Sequence, residues 1–218
     1  MYSIYRIPGY ILCLAGGFFL SWGGLLIRKF EGADIWQMLF WRAFFFSLTL
    51  IFFLFLNYKK ETLSVIKRSG LYAFLAGILM STSFVAYIIA MTETTVANVV
   101  FIISTQTIFL ALFGYLFLKE KISSKTFLSI ILAVIGIVIM VGDSLSTGSL
   151  YGDLIALLIP INFAALILII RKYPKVDLVP SLLYAGLLSC SYGYFMSKTI
   201  LVSAHDLYIA FLIGTFQH

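Results

Sequence analysis

Gly9–Lys29 reads GYILCLAGGFFLSWGGLLIRK, and 143 residues further on Gly152–Lys172 reads GDLIALLIPINFAALILIIRK. Each contains a near-continuous apolar run of the roughly 20 residues a helix needs to cross the roughly 30 Å hydrocarbon core of a bilayer. Gly9 falls on Gly152, Leu14 on Leu157, Arg28-Lys29 on Arg171-Lys172, and Asp34 on Asp177. Any two apolar helices share composition, but polar punctuation in register at both ends marks an internal repeat. Five runs separate the start of one copy from the start of the next, and an odd number inverts the second copy in the membrane. Inverted repeats are a recurring architecture of secondary transporters, with the solute site near the midplane between the repeats. The alternative is a duplicated structural membrane protein that carries nothing.

The rest of the chain fits this frame. Of its 218 residues 62% are hydrophobic and only 11% charged, and the mean hydropathy is +1.07. Soluble domains are about 25% charged, so too few charges are present to cover a water-facing surface. Disorder requires the opposite composition. The net charge of +6 does not point to nucleic acid, because the basic residues lie in the short connections between apolar runs. Cys13 and Cys190 lie inside runs and read as small buried hydrophobes. His205 and His218 have no partners at ligand spacing, so no metal site and no cofactor are expected.

Seven full runs are predicted at 7–28, 35–57, 70–91, 95–118, 126–142, 150–171 and 178–197. The first is too long in its apolar part for a signal peptide. An eighth run starts at Leu207 and is expected to be cut within the third helix of the second repeat, since DLYIAFLIG near the end resembles GLYAFLAG at Gly70–Gly77. On one side of the membrane, alternation places Arg6, Lys59, Lys60, Lys67, Arg68, Lys119, Lys121, Lys125, Arg171, Lys172 and Lys175. The other side receives Arg28, Lys29 and Lys198. Lys and Arg collect on the cytoplasmic side, which predicts a cytoplasmic N-terminus in a multi-pass protein of the cell membrane, the bacterial inner membrane being the expected one.

Several motifs recur in a familiar order. Trp22-Gly23 stands in the first run and Arg42 in the second, and Ala90 and Ala97 flank a short turn between the third and fourth. FLALFGYLFLKE (Phe109–Glu120), Gly136 and Gly142, and then Gly152-Asp153-Leu154 follow. In these features the chain resembles the EamA family of the drug/metabolite transporter superfamily, over nearly its whole length. Two positions depart from the family pattern: Thr107 stands where a proline is usual and Ser129 where a glycine is usual. The resemblance implies an all-α bundle of two inverted five-helix units, here residues 7–142 and an incomplete 150–218, and carrier-type movement of small metabolites, often export. Amino acids or related compounds are among the solutes it suggests.

Candidate solute-binding residues are polar or aromatic groups within the runs. Arg42 lies about seven residues into the second run, roughly 10 Å along a helix at 1.5 Å per residue. A charge at the centre of a membrane helix costs about 2.5–3.5 kcal/mol on insertion scales, so Arg42 must line a watery cavity, find a partner, or snorkel to the headgroups. Trp22 matches the family position and could line the cavity or belong to an interfacial belt, whereas Trp41 is assigned to the belt or to packing. Gln106, Thr107, Asn98, Tyr87 and Asn162 are further candidates; the competing reading is a hydrogen bond to a neighbouring helix. Gly17 and Pro160 coincide in the 143-residue register and are the candidate hinges, since paired interruptions mark the moving parts of such folds. Glu120, between Lys119 and Lys121, reads as a solvated interface cluster or, less simply, a gate latch. Small residues at four-residue spacing, Ala73, Gly77 and Ser81, then Ala185, Ser189, Gly193 and Ser197, predict close helix packing.

A membrane enzyme would need positioned acids, bases or metal ligands, and outside the runs there are only scattered acids, among them Glu31, Glu61, Glu93 and Asp143, with no His or Cys cluster. A channel would show polar rings or a filter loop. The expected partners are a small-molecule solute and the bilayer, with a homodimer left open. No acid is expected deep in any run, which leaves facilitated or exchange transport open.

Overall fold

The computed structural model describes residues 8–59, 62–147, 149–174 and 176–216, with side chains for all of these except 12, 13, 63, 67, 68 and 140–147. Arg6, Lys60, Glu61, Lys175 and His218 lie outside the described residues, as do the side chains of Cys13, Lys67, Arg68 and Asp143 and the surroundings of Gly142. The described residues form helices and no strand: α1 (Gly9–Ser21), α2 (Gly23–Ile27), α3 (Ile35–Tyr58), α4 (Thr62–Glu93), α5 (Val96–Ser104), α6 (Gln106–Leu118), α7 (Ser124–Thr147), α8 (Leu150–Ala156), α9 (Leu158–Lys172), α10 (Val179–Met196) and α11 (Ala204–Phe216). The protein is a polytopic all-helical membrane protein.

Among the described residues five spans are long and apolar enough to cross: Gly9–Ile27, Ile35–Tyr58, Ser69–Glu93, Val96–Leu118 and Leu150–Lys172. That is fewer than the seven the runs predict. The fifth run has a described apolar stretch of only Ser124–Ile139. The seventh forms the 18-residue α10, whose serines, glycines and tyrosines dilute its apolar character. These same small residues let α10 pack closely.

Three of the runs are each divided into two helices. At Trp22 the amide bonds Phe19, three residues back, at 3.3 Å. Thr105 does the same to Ile102 at 3.1 Å, and its hydroxyl also donates to that carbonyl at 2.6 Å. The third break, at Leu157, follows from Pro160, which has no N–H for the carbonyl of Ala156 and crowds it. By contrast, α1 passes through Gly17 without interruption. Within α4, Gly70 takes φ 64° and ψ −161°, a conformation only glycine adopts readily, and so separates the helix up to Ser69 from the one that follows.

The chain divides into two compact units, 1–77 with 177–218, and 78–176. In the first, α3 is packed between α10 and α11. Its buried stripe, Leu39, Arg42, Phe46, Leu50 and Leu54, repeats at three- and four-residue steps. The predicted small-residue positions are the contact surfaces. A Cβ on Gly193 would lie 2.7 Å from the Phe40 amide nitrogen and one on Gly77 2.6 Å from Tyr184 Cβ; Gly214, outside those stripes, approaches as closely, its Cβ falling 2.6 Å from the Arg42 carbonyl oxygen. Backbones meet here without intervening side chains, as expected where lipid removes the hydrophobic drive for helix association. Ser197 alone in the stripe is only half-buried. In the second unit α6 packs on α9, and α5 and α7 on α8, around Ile88, Met91, Val99, Ile102 and Ala164.

Candidate functional site

The helix ends of the first unit are tied by polar side chains. Asp34 starts α3 with a reciprocal cap: its carboxylate accepts the Gln37 amide and the Gln37 side-chain oxygen accepts the Asp34 amide, both at 2.8 Å. The Gln37 side-chain nitrogen donates to the carbonyls of Thr199 and Leu201, both at 3.0 Å. Trp41 donates to the carbonyl of Ile200 at 2.8 Å, so its indole serves packing, as the belt-or-packing reading expects. Asp177, the register counterpart of Asp34, stands one residue before the N-cap Leu178 of α10 and accepts the Val179 amide at 3.0 Å and the Tyr58 hydroxyl at 2.8 Å.

Two buried carboxylates were not foreseen as such. Asp206 is 1% exposed and accepts the amides of Glu31, Gly32 and Ala33 at 3.0, 3.1 and 3.0 Å. It stands ahead of the apolar run of α11. Burial pushes its carboxyl up, but the backbone donors and the His205 ring, 3.3 Å away, outweigh that and hold it below the usual carboxylate range. Asp153, in the second unit, is 0% exposed. Thr94 donates to it at 2.6 Å, and the Asn98 side chain reaches both its oxygens at 3.3 Å. Gly152 makes this approach feasible, since a Cβ there would lie 2.8 Å from the Thr94 nitrogen. Both stand at run ends that the fold covers, and neither lies deep in an apolar run.

Arg42 is 4% exposed, on the α3 stripe that faces α10 and α11, which does not match a guanidinium snorkelling to headgroups. Trp22 is half-exposed and lines an aromatic cleft of the first unit. The remaining candidates are in the second unit. Asn98 joins Asp153 and Thr94. Asn162 donates to Thr82 at 2.9 Å, the helix-to-helix bond weighed against a solute contact. Gln106 and Tyr87 are half-buried, Thr107 is exposed, and Pro160 is buried. Arg42, Trp22 and Gly17 thus belong to one unit, and Gln106, Thr107, Asn98, Tyr87, Asn162 and Pro160 to the other.

Glu120 has a partner outside its own loop. Lys119 takes the left-handed conformation, φ 56°, and the Glu120 amide returns to the Gly114 carbonyl. This folds the Glu120 carboxylate over Gly114, where Arg171 donates to both its oxygens at 3.1 Å. Cys190 is a half-buried thiol. No group of three metal-ligating side chains occurs among the described residues.

Among curated proteins and among solved structures no match to the chain is found. The family model described as EamA-like transporter family matches residues 7–142, more than half of the chain, and the chain belongs to that family.

Proposed function

We propose that the protein carries small polar or amphipathic metabolites across the cell membrane by alternating access, amino acids or related compounds being the favoured solutes and export the favoured direction. The observation that carries this reading is Arg42: a guanidinium 4% exposed on a membrane-spanning helix. A charge in that position is expensive and functional by default. An anionic or zwitterionic solute group is its complement during the cycle. The chain is read as two inverted EamA-like units, a five-helix unit over 7–142 and part of a second over 150–218, with a cytoplasmic N-terminus. The matching placement of Asp34 and Asp177 just ahead of α3 and α10, each accepting a first-turn amide, supports the repeat, and the lysine and arginine distribution supports the orientation.

Purified protein reconstituted into liposomes tests the reading. Flux of a radiolabelled solute should saturate with concentration and be competed by one chemical class of unlabelled compound. Flux that never saturates would indicate a channel. A chemically altered solute with no net flux would indicate an enzyme.

A further inference from the structure

Phe18, Phe19, Trp22, Leu26, Leu212 and Phe216 line a cleft of about 210 Å³ in the first unit, between the α1–α2 segment and α11. Its wall is almost wholly apolar, so a polar solute would lose its water there without gaining hydrogen bonds. Phe18, Trp22 and Phe216 are about half-exposed, so the cleft is open along its length. From Phe18 to Leu26 it follows about 12 Å of helix axis at 1.5 Å per residue. One leaflet contributes about 15 Å, half of the roughly 30 Å hydrocarbon core. The cleft therefore has nearly the reach of a single leaflet's acyl layer. At its Leu26 end the chain continues directly into Arg28 and Lys29, both exposed. Of the acids near that end, Glu31 is exposed and opposes them, Asp34 is engaged in capping α3, and Asp206 is buried against backbone amides.

We propose that this cleft retains the acyl chain of an anionic phospholipid whose phosphate rests on Arg28 and Lys29. An apolar wall of leaflet length ending in two cations matches the two ends of that molecule. Trp22 then serves the bound lipid, and the carrier reading built on Arg42 stands or falls separately.

Quenching of tryptophan emission by brominated acyl chains tests this on the full chain in phosphatidylcholine vesicles. At equal mole fraction, brominated phosphatidylglycerol should quench several-fold more than brominated phosphatidylcholine. Trp22→Phe should abolish that difference while Trp36 and Trp41 still report the fold. Replacing both Arg28→Gln and Lys29→Gln should leave quenching but remove the preference. Equal quenching by the two lipids in the unaltered protein would mean ordinary bulk contact and overturn the proposal. No quenching that depends on Trp22 would mean that protein, another segment or a second copy, fills the cleft, and would overturn it too. A preference that survives loss of both cations would refute the phosphate assignment.

Discussion

Asp206 in the first unit and Asp153 in the second are both buried carboxylates next to a connection between helices, yet they are held in different ways. Asp206 takes three consecutive backbone amides, Glu31 to Ala33. Asp153 takes the side chains of Thr94 and Asn98. Backbone donors are supplied whatever residues stand in the loop, so Asp206 fixes a loop shape and one residue carries the whole arrangement. Side-chain donors can be removed one at a time, so the Asp153 cluster should lose strength in steps. The lesson is that equal burial does not imply equal leverage: the donors decide how much one substitution removes.

The largest expected effect is Asp206→Ala. It leaves three amides without their acceptor, and although water can reach Glu31 and Gly32, a loss of about 3 kcal/mol is expected, read by denaturant unfolding of the purified protein in micelles. Thr94→Val should be milder, about 1–2 kcal/mol, because the Asn98 amide still faces Asp153. If Thr94→Val destabilises as much as Asp206→Ala, the contrast between the two sites fails. Arg171→Gln should change stability by no more than about 0.5 kcal/mol, since both partners of that ion pair are about half-exposed and screened.

The smallest effect is expected from pH. The Asp206 carboxyl is lowered in the folded chain, so its contribution is present above the unfolded carboxylate value, about 3.9, and is lost as pH falls through the lower folded value. Hydrogen exchange of the Glu31–Ala33 amides, corrected for the intrinsic rate, should therefore show the same protection at pH 8 and pH 5. A loss of protection between those values would show that the carboxylate is not the anchor.

The apolar runs and the small-residue stripes were legible in the sequence because each is a local pattern. Gly77, Ala185 and Gly193 lie on buried contact faces where the four-residue spacing puts them. Pro160 also announced a break, since its missing N–H acts one turn back, at Leu157. The breaks at Trp22 and Thr105 carry no such signal, because ordinary residues tighten a turn there. The buried acids were missed for a different reason. Asp206 and Asp153 stand at the ends of runs, where sequence does not distinguish a covered end from a wet one, and their donors are 173–175 and 55–59 residues away. Glu120 likewise reads as one member of a charged cluster until Arg171, 51 residues on, is brought to it. Gln37 was overlooked because a glutamine three residues after an aspartate looks like a local cap. It is one, and its amide also fastens Thr199 and Leu201.

The central claim is that the buried charge of Arg42 exists for transport, and liposome flux of Arg42→Ala beside Arg42→Lys tests it most directly. Both variants should insert, with Arg42→Ala losing saturable flux and Arg42→Lys, which keeps the charge without the planar fork, retaining a part of it. Unchanged flux in Arg42→Ala, at equal amounts of inserted protein, would contradict the claim.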